Sequence, residues 1–367
     1  MKKTLILCLA ILIFNSCAVS RKVKNDEVKI SFIDEYVLPA DLDFRGTRIG
    51  GLSGIDYDNG NYYLVCDDAG NPRIYTAEIE LNNGKFEKIE ITDVLQINKE
   101  GLGKHNVLDL EAIRYDDESG DFFLTSEGKI NDTKNPGIYQ VSSEGEIKKT
   151  FSLPDYFKAE GIQKPRDNGV FEGIAESHDG NGYWVATELP LTEDGPKPKL
   201  YPTRSHIRIT KFDKKTGEPV RQFAYKLDGI SKLPINYFAI NGLTEILEYE
   251  ENKLLILERG YVAGYGSHGN TVKIFAVDAS EATNTLELAQ LKGSDYIKAS
   301  KKLVFDLKDV RNSLTDEIID NLEGMCFGPK LENGNRSILL VADNNFNSFS
   351  EQINQFILLK IVFNSKN

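Results

Sequence analysis

Along most of the chain, apolar and polar residues alternate in short runs closed by Asn, Asp and Gly, and few segments carry helical spacing. The stretch 171–188, FEGIAESHDGNGYWVATE, sets an acid beside a glycine, then an apolar pair, a polar turn, an aromatic run and a second acid. This pattern predicts an antiparallel hairpin. Four relatives recur: LSGIDYDNGNYYLVCD at 52–67, LEAIRYDDESGDFFLTSE at 110–127, NGLTEILEYEENKLLILE at 241–258 and LEGMCFGPKLENGNRSILLVAD at 322–343. Ser53, Glu111, Glu172, Asn241 and Glu323 head the first strands; Asp67, Glu127, Glu188, Glu258 and Asp343 end the second.

The two ends of each unit lie 14, 16, 16, 17 and 20 residues apart, and successive units start 58, 61, 69 and 82 residues apart. Two further strand patterns fill each interval, such as GIYQVS and EIKKTFSL after the second unit, with turn signals between them. Each interval therefore predicts a four-stranded antiparallel meander. The period exceeds the roughly 40–50 residues of common propeller blades, and loops absorb the surplus. After the fifth unit one strand remains, QFILLKIVF at 355–363, and VKISFIDEYVL at 28–38 is free to complete that blade and close the ring. The fold expected is an all-β propeller of five four-stranded blades, closed by the N-terminal strand, with residues 28–365 as one domain. A sixth blade stays open if the insert 275–320 hides another sheet. DYFKAE, DASEAT and LTDEIIDN are the short helix candidates.

The net charge of −12, and −14 from Cys17 onward because Lys2 and Lys3 are the only charges before it, argues against nucleic acid as a partner. Residues 1–17 have a basic start and an apolar run from Thr4 to Phe14, too short for a permanent span. They read as a secretory signal. The tail FNSC resembles a lipoprotein box, with Phe14 in place of the usual leucine; Cys17 would then carry the lipid and residues 18–27 form a polar tether. The alternative is a plain signal cut near Ser16. Either way the protein is expected to be exported, and on the first reading it is lipid-anchored at the bacterial cell envelope. Cys66 and Cys326 sit in apolar strand patterns, as buried thiols or as a pair.

In a propeller the first strands line a central channel, so equivalent positions converge. Carboxylates brought that close raise each other's pKa unless cations intervene, and oxygen-rich sites favour calcium or another hard divalent ion. The alternative is structural: each Glu accepts backbone hydrogen bonds at a blade junction. Arg73 and Arg259, near acids at strand ends, could grip a phosphate or clamp a blade. GYGSHG at 264–269 matches a dinucleotide fingerprint in letters only, because a strand pattern follows it. His105 is a candidate base at the ring mouth or an exposed loop residue.

RIGGLSGIDYD, YYLVCDDAGNPRIY, LDLEAI, NGVFEGIAES, VATELPL, LLILERGY and NLEGMCFGPKLENGNRSILLVADNNFNSFSEQINQF together resemble the phytase-like family described by an esterase-like activity of phytase. The resemblance implies an exported propeller hydrolysing phosphate esters, and together with the ring of acids it supports an enzyme dependent on calcium or another divalent cation. It points to Glu111, Glu172 and Glu323 as catalytic acids and to Asp67, Glu127, Glu188, Glu258 and Asp343 as metal ligands. Arg73, Arg259 and Asn344 would bind a small phosphorylated or other anionic substrate. The family often carries Asp-Arg-Gly where this chain has Asp68-Ala69-Gly70, with Arg73 the nearest arginine. The rival function is a non-catalytic envelope propeller that binds a ligand or partner; a monomer is expected in both cases.

Overall fold

The computed structural model describes residues 28–161, 164–332, 334–346 and 352–364. The expected signal, Cys17 and the tether lie outside the described residues.

Five four-stranded antiparallel sheets are arranged as a β-propeller. Blade one comprises Leu52–Asp58, Asn61–Cys66, Arg73–Asn82 and Lys85–Gln96; blade two, Leu110–Asp116, Asp121–Ser126, Gly137–Val141 and Ile147–Thr150. Blade three comprises Phe171–Glu176, Gly182–Thr187, His206–Asp213 and Pro219–Lys226; blade four, Ala239–Glu250, Lys253–Val262, Asn270–Asp278 and Ser300–Asp306. Blade five is built from both ends of the chain: Leu322–Lys330, Arg336–Ala342 and Asn354–Phe363, with Val28–Leu38 outermost. Val28 pairs with Phe363 and Leu38 with Asn354, so the closing strand adds its full length of ladder bonds. Closure removes the exposed sheet edge that an open array would leave.

The apolar residues form five clusters, one at each blade junction. Both faces of every blade are covered, which is why second strands such as Asp121–Ser126 are buried at every position and lose their alternation. The axis itself is filled differently. Gly54, Ala112, Gly173 and Gly324 keep four inner strands close; a Cβ on Gly173 would lie 2.8 Å from the Glu245 Cα. Blade four has Glu245 at the matching position. Its carboxylate meets Arg114 at 3.1 Å and accepts from the Ile174 amide at 2.9 Å. Arg114 donates to the carbonyls of Ile55, Ile246 and Met325, so one buried ion pair ties all five inner strands together.

The insert does not form a sixth blade. Thr285 and Ala299 donate to the Gln222 and Ala224 carbonyls, so the segment covers the outer edge of blade three. Of the helix candidates, DYFKAE and LTDEIIDN yield only the 3-10 turns Asp155–Phe157 and Thr315–Glu317, and DASEAT yields none. Segments this short do not offset the cost of helix nucleation. Cys66 and Cys326 are buried free thiols.

Candidate functional site

Each inner strand carries a β-bulge at the position of Ser53, Glu111, Glu172, Thr244 or Glu323, at its start in four blades and after five paired residues in blade four. The extra residue turns the chain toward the axis. The next strand runs back antiparallel, and the residue just past the Leu or Phe pairing is Asp67, Glu127, Glu188, Arg259 or Asp343. Four of these are acids whose amides donate to the carbonyl one residue before the inner strand: Gly51, Asp109, Val170 and Asn321. Gly51 has φ +59°, and a Cβ there would sit 2.1 Å from Asp67 Oδ1, so only glycine leaves room for the acid.

Blade four corrects the sequence alignment. Its hairpin extends over Ala239–Val262, and Leu243 pairs with Glu258 as Phe171 pairs with Thr187. Thr244, not Asn241, is the counterpart of Glu172, and Arg259, not Glu258, is the counterpart of Glu188. Glu258 is a buried anchor away from the cavity: it accepts from Asp228 N at 2.9 Å, Asn241 Nδ2 at 2.7 Å and Lys301 Nζ at 2.7 Å.

The inner ends of the blades enclose a cavity of about 720 Å³. Nine carboxylates line it: Asp67, Asp109, Glu111, Glu127, Glu172, Glu188, Asp320, Glu323 and Asp343. Arg259 is the one cationic residue among the described lining residues, and its Nη2 donates to Glu323. Oxygens of Glu111, Glu127 and Glu172 lie within 4.8 Å of one another.

Burial raises the pKa of several of these acids, and neighbouring acids add to it at most of them. Asp67 is pushed up to about 7 by burial, Glu323 and Asp109. Burial likewise takes Glu188 to about 7, with Arg259 pulling the other way. Glu111, Glu127, Glu172 and Asp343 are raised well above the usual carboxylate range, first by burial and then by neighbouring acids: Glu172 and Glu127 at Glu111, Glu188 and Asp109 at Glu127, Glu188 and Glu127 at Glu172, and Glu323 and Asp67 at Asp343. Burial opposes the charge on Arg259, yet Glu323, Glu188 and Glu172 hold its pKa above the ordinary guanidinium value. Asp67 Oδ1, Glu127 Oε2, Glu188 Oε2 and Arg259 Nε are buried without a hydrogen-bond partner. Unpartnered buried oxygens beside a three-carboxylate cluster fit a hard divalent cation.

Two further sequence candidates lie outside this cavity. Arg73 donates to Asp68 at 2.9 Å, to the Asn71 and Arg48 carbonyls and to Tyr75, which makes it a clamp on the first blade. Asn344 Oδ1 accepts from Gly51 N at 3.1 Å and Phe346 N at 3.0 Å, and is equally spoken for. His105 is exposed and lines a separate groove with Tyr156 and Lys158.

Residues 47–346 match the phytase-like family, described as having an esterase-like activity of phytase. The chain belongs to this phytase-like family. No curated protein matches it significantly. Solved structures similar to it include Myxococcus xanthus glutaminyl cyclase, with a TM-score of 0.42 and 9% identity over 92% of this chain and 98% of that one. Another is a Bacteroides thetaiotaomicron endo-1,4-β-xylanase, with a TM-score of 0.45 and 9% identity over 84% of this chain and 90% of that one. At these TM-scores the likenesses carry no argument about function.

Within this phytase-like ring, Asp109, Asn168, Asp320 and Asn321 complete the cavity wall and were not among the sequence candidates. A signal for some of them exists: LDLE and IDNLE both carry an acid shortly upstream of the Leu-Glu pair. It is visible only once the inner strand is known to start at Leu110 and Leu322.

Proposed function

We propose that the cavity is the active site of a divalent-cation-dependent hydrolase of phosphate esters. The observation that carries this reading is the set of mutually close Glu111, Glu127 and Glu172 oxygens beside unpartnered buried acids and a single guanidinium. Glu111, Glu127 and Glu172 would hold the cation, with Asp67, Glu188 and Asp343 on the flanks. A bound calcium ion would polarise a phosphoryl oxygen and lower the pKa of an attacking water. Arg259, with Nε free, binds an ester oxygen and balances charge, and Glu323 orients it. Glu188 or Asp67, each with an unpartnered buried oxygen at the cavity, accepts the proton that water loses. In this reading Glu111 and Glu172 hold metal, and Glu323 acts through Arg259.

The test is release of nitrophenol from 4-nitrophenyl phosphate and its bis ester, and of phosphate from phytate, by purified protein with calcium or with chelator. Turnover that chelator removes and calcium restores supports the proposal, and Glu172→Gln abolishes it. Absence of divalent-dependent turnover on all three overturns it.

A second reading is a non-catalytic binding propeller. It is favoured by the absence of Ser, Thr, Cys, His and Lys from the described lining residues, which leaves no aliphatic hydroxyl, thiol or amine activated by a histidine or lysine base. Calcium binding without turnover would support it. For either reading we propose work at the cell envelope, on the strength of the leader; mass spectrometry of the mature N-terminus at Cys17 tests the lipid.

A further inference from the structure

The cavity has two chemically distinct sides. Blades one, two, three and five present carboxylates, whereas blade four presents Ile240 and Tyr261 from its two inner strands and Phe238 from the residue just before them. The Phe238 and Tyr261 rings pack tilted, with centroids 6.2 Å apart. Arg259, two residues before Tyr261 on the same strand, donates to Glu323 and so borders the acidic side. Phe238 ends a run of exposed apolar residues that leads up to the inner strand of blade four and forms a lip. Leu233 is 70% exposed, Ile235 60%, Tyr237 98% and Phe238 56%. This lip is fixed rather than loose: Ile235 donates to the Ala263 carbonyl and Ala263 to the Phe238 carbonyl, at 3.2 and 3.0 Å. Tyr237 is held at φ +59°, a left-handed conformation that costs a bulky residue free energy. Contiguous exposed apolar side chains at a cavity rim mark a surface that a ligand covers.

We propose that the ligand of this cavity is an amphiphilic phosphate ester, its anionic head at Arg259 and the acidic side, its alkyl or aryl group on Phe238, Ile240, Tyr261 and the lip. This rests on the phosphate-ester reading above and narrows its substrate class. A polyol phosphate such as phytate carries no group that would cover the apolar wall, so the wall would stay wet and add nothing to its affinity. An alkyl or aryl group buries it, and burial of one large side chain's worth of apolar surface is worth about tenfold or more in affinity.

The experiment is calorimetric titration of the full chain in calcium with phenyl phosphate, octyl phosphate and glycerol phosphate, with turnover of the same compounds followed in parallel. Octyl and phenyl phosphate are expected to bind at least about tenfold more tightly than glycerol phosphate. Phe238→Ser, and separately the surface change Tyr237→Ser, should bring that ratio toward one. Equal affinities for the three compounds, or a ratio that neither substitution changes, overturns the proposal. The same holds if phytate competes for the site as well as octyl phosphate does. Selective binding without turnover of any compound sinks the hydrolase reading and supports the amphiphile selectivity. Failure of every phosphate to bind sinks both.

Discussion

Arg259 donates to Glu323 across the junction of blades four and five, and it does so from the register position that holds an acid in each of the other four blades. One arginine thus stands among nine carboxylates in a shared cavity. Its replacement removes the only resident counter-charge among the described lining residues and leaves buried acids facing one another. Arg259→Met should destabilise the metal-free protein by about 3 kcal/mol, the scale for breaking a buried pair. Calcium should recover part of that loss. Chemical denaturation in chelator and in calcium measures both effects.

Calcium should stabilise the folded chain, because the site exists only when the blades are closed. Free calcium at about one hundred times its dissociation constant adds about 2.7 kcal/mol. Glu172→Gln should remove most of that gain, since it takes one oxygen of the three-carboxylate cluster out of play. A melting temperature that does not respond to calcium would speak against the metal site.

Without divalent ions, stability should fall as pH rises through neutrality. Asp67 and Glu188 have folded pKa values of about 7, above the roughly 4 of unfolded acids. The folded chain therefore holds more protons between these limits. The contribution is fully present below about pH 4 and is lost as pH rises through 7. Each extra proton tilts the curve by at most about 1.4 kcal/mol per pH unit. In saturating calcium the trend should flatten or reverse, because the cation replaces the protons. Urea midpoints from pH 5 to 8, with and without calcium, read the slope.

Arg114 and Glu245 form the tie at the axis, so removing either partner should be costly. Arg114→Met alone should lose about 3–5 kcal/mol, since it strands a buried carboxylate. Adding Glu245→Leu should restore much of it. A double-mutant cycle on unfolding free energies gives the coupling. Near-additive losses would mean that the two residues act apart.

Glu258 offers a control on the register of blade four. Its partners are Tyr225, Asp228, Asn241 and Lys301, all outside the cavity lining. Glu258→Gln should cost about 2 kcal/mol of stability and leave calcium affinity where it was. A calcium affinity that dropped with this substitution would return Glu258 to the site.

The strand alternation, the turn residues and the five-fold recurrence of FEGIAE-like segments were sufficient to read the blades, their order and the closing N-terminal strand. They also located Glu111, Glu172 and Glu323, and Asp67, Glu127, Glu188 and Asp343, because a local hairpin carries its own inner residue and its own strand-end acid. These are properties of neighbouring residues, and the chain states them directly. Blade four was different. Its hairpin runs further than the others, so the NGL segment and the terminal Glu point to Asn241 and Glu258, three residues before Thr244 and one before Arg259. Only pairing between strands sets which residue follows the bulge, and with it the sign of the charge that blade four contributes. The apolar wall of Phe238, Ile240 and Tyr261, the wall residues Asp109 and Asp320, and the raised proton affinity of the acids likewise come from the ring. The acids depend on distances across the axis, between groups far apart in sequence, and on the exclusion of water that packed blades impose; the apolar wall depends on the pairing that sets Ile240 opposite Tyr261.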